Sequence, residues 1–466
     1  MRDLRKWQRT GAALAAVALL ASACGDGETT DGASTPPPDA SDTGDDGPTD
    51  DPGDDMMVTT DVGVTEEPCP SDHPETVNAD NGCIYLGTLS DLTEGPFAAL
   101  GVEIVAGQVA FWRTVNEAGG IGGYDVDVTE YTRDNKYNPE EHVAQFRAME
   151  PNVLALAQTL GTPPTLAALS LMQDSDVVGA PASWWSGWAF EDVILESGYN
   201  YCIEAMDGLD YAHTEWVEGG VASVLSVSYP GDYGGDSAAG VAAWAAANGV
   251  AFDAATGVVQ TGPNASVGNQ DGPVAKILEV NPSVVLLATG PLEAAEIIGK
   301  SAAQGYQGRF LGSVPTWNPA LLGNPDLAAV LPLVYRHIGP WGSFGSDSDA
   351  HRAMAASLGG ELPGNDGFTF GWIWSYPLKS VLLQAVSNGD LTRAGVRAAA
   401  GEVSVDYEGA LPDQSYSGDP ASTVARAAII SVPDPDAPLG ISTVKDFFTG
   451  PTAAAYDFTE PCISLG

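Results

Sequence analysis

Residues 152–180 read NVLALAQTLGTPPTLAALSLMQDSDVVGA, and this stretch decides the fold class. Residues 152–157 form an apolar run of strand length, residues 163–173 have the spacing of a helix, and residues 177–180 are apolar again. Two short strands joined by a helix are typical of a crossover between parallel strands. The stretch therefore predicts a βαβ unit in an α/β protein.

The same alternation continues on both sides of this unit. Upstream, strands alternate with helices at residues 83–89, 98–118, 124–131 and 139–149. After an irregular stretch at residues 201–216, a second run follows at residues 221–227, 236–248, 257–261, 273–280, 284–288 and 291–304. Two such runs predict two Rossmann-like lobes with parallel sheets. Because ligands of open parallel sheets bind beyond the carboxyl ends of the strands, a ligand would lie between the lobes.

The charge of the chain excludes several classes of partner. There are 18 Lys and Arg against 62 Asp and Glu, so the formal net charge is −44. A nucleic-acid-binding protein needs a basic footprint on the phosphate backbone, which this chain does not offer. An anionic membrane surface would repel it as well. The apolar content of 44%, with 11 Trp, is enough to build large hydrophobic cores.

The N-terminus has the pattern of an export signal. Four cations among the first nine residues precede an apolar run at residues 11–23, which is shorter than the roughly 20 residues that span a membrane. The sequence Leu20-Ala21-Ser22-Ala23-Cys24 resembles a bacterial lipobox, which implies lipidation of Cys24. Ordinary secretion with cleavage in the same small-residue stretch is the alternative. We expect an exported chain anchored to the cell membrane by lipid, on the extracytoplasmic face.

Residues 25–67 contain 14 acidic residues and neither Lys nor Arg, in a background of Pro, Gly, Ser and Thr. Such a segment buries too little apolar surface to offset its ordering entropy. We interpret it as a disordered tether between the lipid and the lobes.

Four cysteines remain once Cys24 is assigned to the lipid, and an even number is typical of disulfides in an exported protein. Three pairings are possible. We expect Cys69 with Cys83, which are close in sequence, and Cys202 with Cys462, which would fasten the C-terminal tail.

Several short motifs occur in a particular order along the body of the chain. They are EGPFAALG at residues 94–101, NEAGGIGG at 116–123, GTPPTLAA at 161–168, DYG at 232–234, LTRAGVR at 391–397 and YEG at 407–409. With these motifs, roughly residues 82–440 resemble type I periplasmic binding proteins of the leucine/isoleucine/valine-binding family. The resemblance implies a receptor for a small molecule, such as an amino acid, an amide or a small carboxylate, that serves the permease of an ABC importer. It also implies a Venus-flytrap fold, in which a three-stranded hinge joins the lobes and the lobes close over the ligand.

This reading divides the chain into six parts. They are a signal peptide at residues 1–23, the lipidated cysteine and tether at 24–67, lobe 1 at 68–205, lobe 2 at 206–336, the return to lobe 1 at 337–403, and the return to lobe 2 with the tail at 404–466. The hinge crossovers are expected near residues 201–210, 333–341 and 404–413.

In lobe 1, Thr162 follows an apolar strand and precedes two prolines, so we expect it to cap a helix whose positive end favours an electron-rich ligand group. The next strand leads to Ala182 and Ser183, which the resemblance places at the ligand. Trp184 stands where relatives have Thr. The Trp-rich loop at residues 184–188 is expected either to line a pocket or to pack under the lobe interface. Leu100 stands where several relatives have Tyr.

In lobe 2, Tyr233 matches the aromatic residue that closes over ligands in relatives, with Asp232 beside it as a partner for a positive group. The next strand-end loops offer Gly290, Val314 and Trp317 as further ligand residues. Amino-acid binders place an acidic residue near position 314 for the α-ammonium. Its absence here disfavours a standard branched-chain amino acid, and favours a ligand that lacks a free ammonium or one that is recognised by Asp232.

Two other classes of function stay open. A surface sensor would use the same lobes to report ligand to a membrane partner. An enzyme is the other rival, but no catalytic motif, metal-ligand spacing or cofactor motif stands out, and we interpret Glu293 and Glu296 as solvated charges on a helix. We expect a monomer without cofactor or metal.

Overall fold

The computed structural model describes residues 58–465. The predicted signal peptide, Cys24 and most of the predicted tether lie outside these residues. Among the helices described, none combines the length and the apolar character that crossing a membrane requires.

The first part of the chain builds lobe 1 around a parallel sheet. Its elements are β1 (Thr59–Thr60), β2 (Val64–Thr65), β3 (Gly82–Ser90), α1 (Ala98–Glu117), β4 (Tyr124–Asp134), α2 (Pro139–Met149), β5 (Ala155–Leu160), α3 (Thr162–Asp174) and β6 (Gly179–Ala182). Strand β3 pairs in parallel with β4 on one side and β5 on the other, and β6 follows β5. All six residues of β5 are buried, as expected for a central parallel strand. The predicted βαβ unit is confirmed.

The second part of the chain builds lobe 2. Its elements are α4 (Tyr201–Tyr211), β7 (Val224–Ser228), α5 (Asp232–Asn248), α6 (Ala254–Gly257), β8 (Val258–Gln260), α7 (Asn264–Val267), α8 (Asp271–Val280), β9 (Val284–Ala288), α9 (Pro291–Ala303), β10 (Arg309–Gly312), α10 (Pro325–Val334) and β11 (Tyr335–Gly339). The five strands are parallel, in the order β8-β7-β9-β10-β11.

The last part of the chain returns to lobe 1 and then to lobe 2. Its elements are α11 (Asp349–Ser357), α12 (Gly367–Ile373), α13 (Ser375–Ser387), β12 (Asp390–Leu391), α14 (Arg393–Ala400), β13 (Ser404–Val405), β14 (Gln414–Ser415), α15 (Pro420–Thr423), β15 (Ala428–Pro433), β16 (Ile441–Phe448) and α16 (Pro451–Ala455). Helix α12 packs closely against α1. Strands β15 and β16 extend the lobe 2 sheet in antiparallel fashion beyond β11.

Three segments cross between the lobes and meet at Gly198. The side chain of Gln414 accepts a hydrogen bond from the Gly198 amide at 3.0 Å and donates one to the Glu196 carbonyl at 3.0 Å. Pro340, in the second crossing, lies against the same glycine. The first crossover was expected at residues 201–210. Those residues are helical in the structure because the Asn200 side chain caps the start of α4, so the crossing precedes the helix and the expected lobe boundary after residue 205 lies inside it.

The tether ends earlier than the sequence indicated. Residues 58–67 were assigned to the disordered segment, but β1 pairs with β12 and β2 pairs with β3. These backbone hydrogen bonds, together with the packing of Val64 against the main core, tie the segment to lobe 1 despite its acidic composition.

Both expected disulfides are present. Cys69 is bonded to Cys83, and Cys202 on α4 is bonded to Cys462 in the C-terminal tail. The tail also reaches lobe 1, because the Trp185 indole donates to the Ile463 carbonyl at 3.4 Å. It therefore contacts both lobes.

Candidate functional site

A cavity of about 280 Å³ lies where the carboxyl ends of both sheets meet. Larger cavities of about 460 Å³ and 660 Å³ lie elsewhere, behind the Trp-rich loop and beside β16. Neither of these is at the strand ends, so we take the smaller cavity as the candidate site. Its lining is aromatic and apolar with few polar groups, as in many small-molecule sites.

Lobe 1 supplies the wall that contains Trp184. This side chain is 3% exposed, and its ring centroid lies 5.1 Å from that of Trp374 and 5.7 Å from that of Phe370. Its indole N–H is donated to the Ser197 carbonyl at 3.0 Å. Trp184 therefore offers the cavity ring surface, with its one donor already used.

The other two tryptophans of the loop point elsewhere. Trp185 and Trp188 pack on each other with ring centroids 5.1 Å apart, in a core behind the cavity. Both readings of the Trp-rich loop thus apply, to different residues: Trp184 lines the cavity, and its two neighbours pack.

The start of α3 differs from the sequence expectation. Gly161, with φ of 92°, occupies the capping position, and Thr162 is the first helical residue. A positive φ is a conformation that Gly adopts at low cost, so it occupies this turn in place of Thr. The Thr162 hydroxyl is buried with its Oγ1 atom 2.9 Å from Ser183 Oγ, and Ser183 accepts from the Trp188 indole at 3.1 Å. Thr162 therefore lies under the cavity wall, whereas Ser183 is part of its lining.

Lobe 2 supplies the opposite wall from the first turn of α5. Tyr233 lines the cavity, its ring centroid lies 4.7 Å from that of Tyr201, and its hydroxyl donates to the Thr289 carbonyl at 3.2 Å. Tyr229 lies beside it and donates to Glu293 Oε2 at 2.8 Å. These bonds fix both tyrosines to lobe 2.

Asp232 is the only charged residue in the cavity lining within residues 58–465. It is 7% exposed, and it forms no ion pair with any described Lys, Arg or His. Burial raises the pKa of its carboxyl above the ordinary value, while hydrogen bonding to Thr162 and to nearby backbone amides acts in the opposite direction. The cavity thus holds one acceptor group that no cation of the described chain neutralises.

Six of the ten predicted ligand residues line this cavity: Leu100, Ala182, Ser183, Trp184, Asp232 and Tyr233.

Gly290, Val314 and Trp317 do not line it. Gly290 is the N-cap residue of α9 and lies next to the Glu293 carboxylate. The Val314 amide is held by Glu204 at 2.8 Å, and Trp317 stacks on Tyr335 and donates to the Leu439 carbonyl at 3.2 Å. Their loops follow the right strands, but the Trp317 side chain packs within lobe 2, and only Pro315 from the second loop reaches the cavity.

Several residues of the cavity lining were not predicted from the sequence. They are mainly aromatic residues and prolines: Phe97, Tyr137, Tyr201, Tyr229, Pro230, Pro263, Pro315, Phe370 and Trp374. Tyr229 directly follows β7 and Tyr137 follows β4, so the rule of strand ends could have found both. Trp374 also belongs to the lining, beside Trp184.

Two acidic groups that could suggest catalysis have structural roles. Glu293 accepts from Tyr229 and from the Asn264 amide at 2.8 Å, and is buried where solvation was expected. Glu204 accepts from Ser313 Oγ at 2.5 Å and from the Val314 amide, and burial raises its pKa to about 7. Both hold loops of lobe 2 in place.

One cluster of metal-ligand type is found among residues 58–465, and it consists of His73, Glu75 and Asp127. His73 Nδ1 lies 2.5 Å from Asp127 Oδ2, and Glu75 accepts from the Val128 and Thr129 amides at 2.8 and 2.9 Å. The three side chains are therefore already partnered. The cluster fastens the N-terminal segment to β4 and is separate from the cavity.

A family model described as periplasmic binding protein matches residues 84–433. No curated protein matches the chain. Among solved structures, a fatty acid ABC transporter substrate-binding protein from Thermomonospora curvata is similar, with a TM-score of 0.74 and 24% identity over 86% of this chain and 97% of that one.

Two further structures have the same fold. A possible leucine/isoleucine/valine-binding protein from Rhodopirellula baltica SH 1 has a TM-score of 0.65 and 17% identity over 79% of this chain and 98% of its own. A branched chain amino acid ABC transporter from Thermus thermophilus with bound valine has a TM-score of 0.64 and 16% identity, covering 80% and 97%.

Proposed function

This chain belongs to the periplasmic binding protein family, and from that membership we propose that it captures one small molecule between its lobes and delivers it to the permease of an ABC importer. The observation that supports this most is the cavity at the carboxyl ends of both sheets, to which each lobe contributes a wall.

In the proposed mechanism, ligand first docks on the lobe 1 wall around Trp184, because that wall has the larger aromatic surface. Tyr233 and Asp232 of lobe 2 then cover it as the three crossing segments bend. A hinge of a few residues between rigid lobes is a common route to domain closure around a ligand. The closed arrangement would be favoured only as far as ligand binds it better than the open one.

The chemistry of the lining supports a ligand with a largely apolar body. Most of the surface it would meet is ring or aliphatic carbon, from residues such as Leu100, Phe370 and Trp374. One similar structure is a fatty acid ABC transporter substrate-binding protein, and another is a branched chain amino acid ABC transporter with bound valine. Fatty acids and valine each pair an apolar body with a polar end.

We also propose that the exported chain is a monomer held to the cell membrane by lipid on Cys24, with the acidic segment that follows acting as a tether. Family membership fits an extracytoplasmic position. The tether would leave the lobes free to reach a permease in the same membrane.

The proposal is tested by a thermal-shift screen on the exported chain with Cys24→Ser, using amino acids, amines, amides, short fatty acids and aromatic acids. We expect one class of compound to raise the melting temperature in a dose-dependent manner, because a ligand that binds only the folded state stabilises it. The compound should be recovered unchanged after denaturation. Its conversion into a product would instead support an enzyme, and no shift with any class would contradict the binding role.

A further inference from the structure

The cavity is asymmetric in charge. Its lining within the described chain contains one carboxylate, Asp232, and no Lys, Arg or His. Accepting the solute-binding role proposed above, we propose that the ligand is a small organic cation, an amine or a quaternary ammonium with an apolar body, whose charge lies against Asp232 while its body lies against the aromatic wall of lobe 1.

Asp232 is buried in the lining with hydrogen bonds but with no described cation beside it. A carboxylate that is 7% exposed and faces an apolar cavity is costly to keep ionised without a cationic partner. The raised pKa of its carboxyl reflects that cost, which comes mainly from burial. A bound cation would remove the cost by supplying the missing partner.

The lobe 1 side of the same cavity is an aromatic surface. Trp184, Trp374 and Phe370 form one cluster, with ring centroids 5.1–5.7 Å apart, and all three line the cavity. Indole and phenyl faces carry partial negative charge and attract cations, and the attraction is stronger where water is excluded.

The two tyrosine hydroxyls of lobe 2 both donate within the protein. Tyr229 donates its proton to Glu293, and Tyr233 donates to the Thr289 carbonyl. Both hydroxyl protons are therefore used within lobe 2 and are not available to a ligand. The acceptor that this lobe does offer is Asp232, which favours a ligand that donates hydrogen bonds.

A carboxylate ligand is poorly served by the same site. The start of α3 would be the natural place for it, but Pro163 and Pro164 have no N–H, and the Thr165 amide is already bonded to the Gly161 carbonyl at 3.0 Å. The start of α5 carries Asp232 itself. The formal net charge of −44 also attracts cations to the protein and repels anions.

The test uses three probes with the same body: 4-phenylbutylamine, 4-phenylbutan-1-ol and 4-phenylbutanoate. They are titrated calorimetrically at pH 7 into the exported chain carrying Cys24→Ser. We expect the amine to bind about tenfold or more tightly than the alcohol, and the alcohol more tightly than the anion.

Two variants separate this charge preference from general effects. Asp232→Asn should weaken amine binding about tenfold and leave alcohol binding unchanged, because the shape of the site is kept. Glu361→Gln removes an equal charge from an exposed position outside the lining and should change neither. A melting temperature close to the parent value shows that each variant is folded.

The outcomes distinguish the cation class of the ligand from the solute-binding role of the protein. Tightest binding of the anion or the alcohol, or equal amine affinity in Asp232→Asn, overturns the cation class and leaves the solute-binding role in place. Absence of binding by all three probes rejects the cation class, and the solute-binding role is then decided by the broader thermal-shift screen.

Discussion

The two walls of the cavity are built differently. Lobe 1 contributes a cluster of ring surfaces around Trp184, whose polar atom is satisfied inside the protein. Lobe 2 contributes Asp232 and two tyrosines that are fixed by hydrogen bonds within their own lobe. The two lobes therefore have different roles in binding. Lobe 1 supplies contact area for the apolar body of a ligand, and lobe 2 supplies the polar contacts that orient it.

Removing the centre of the lobe 1 wall should have the largest effect. Trp184→Ala deletes a buried side chain that contacts four other aromatic rings, so we expect the free energy of unfolding to fall by about 3–5 kcal/mol. Urea denaturation measures this change.

Trp184→Phe separates binding from stability. It should keep the fold and weaken binding by about 1–3 kcal/mol, in calorimetry with a ligand found by the screen. The matched change Trp216→Phe, outside the lining, should leave affinity unaltered. Equal affinities in the two variants would take Trp184 out of the site.

The disulfide that fastens the C-terminal tail should have the next largest effect on stability. Cys202→Ser with Cys462→Ser opens a disulfide with a sequence separation of 260, and we expect the free energy of unfolding to fall by about 2–5 kcal/mol. Opening Cys69–Cys83, with a separation of 14, should cost less because the closed loop is shorter. A larger loss of stability on opening Cys69–Cys83 would show that the tail disulfide does not stabilise the two lobes.

The contact between lobes at Asp236 should depend on pH. Its carboxylate accepts from the Ser186 amide and hydroxyl of lobe 1 at 2.5 and 2.8 Å, and burial raises its pKa to about 7. A carboxyl with a raised pKa in the folded state contributes stability that is fully present below the unfolded pKa and is lost as the pH rises through about 7.

We therefore expect the free energy of unfolding to fall by about 2–4 kcal/mol between pH 4 and pH 8 on account of this group. Asp236→Asn should make the profile flatter by that amount. Urea denaturation across this range checks it, and an unchanged profile in the variant would assign the pH dependence to other buried carboxyls, such as Glu204 and Asp366, whose pKa values are also raised to about 7.

The smallest effect concerns the orientation of one ring in lobe 2. Tyr233→Phe removes the hydrogen bond to the Thr289 carbonyl, and we expect a loss of about 0.5–1.5 kcal/mol in ligand affinity with little change in stability. Calorimetry on the variant measures it. A loss as large as that of Trp184→Phe would mean that the two walls contribute alike.

Much of the fold followed from local pattern. The βαβ unit at residues 152–180 has apolar strands and a helix that begins with prolines, so each level of the sequence points to the same structure. Ala182 ends strand β6, and Trp184 and Tyr233 follow β6 and β7, whose carboxyl ends face the cavity, so the strand-end rule was enough to find them.

The errors share a physical cause. The strand-end rule locates a loop but not the direction of its side chains, so Val314 and Trp317 were assigned to the ligand although neither lines the cavity, and the Trp317 indole is bonded to the Leu439 carbonyl of lobe 2. Tyr201 reaches the cavity from the start of α4, just after the first crossing, and Trp374 reaches it from the junction of α12 and α13. No local sequence pattern reports where the fold brings these two positions.

The central claim is that ligand binds in the cavity between the two walls. It is tested most directly by adding the same large side chain to each of two cavities. A ligand identified by the screen is titrated calorimetrically into the exported chain and into Ala182→Phe, which fills the cavity between the walls, and Ala189→Phe, which fills the larger cavity behind the Trp-rich loop. We predict one binding site per chain, which is lost in Ala182→Phe and retained in Ala189→Phe. Binding that survives Ala182→Phe and is lost in Ala189→Phe would contradict it.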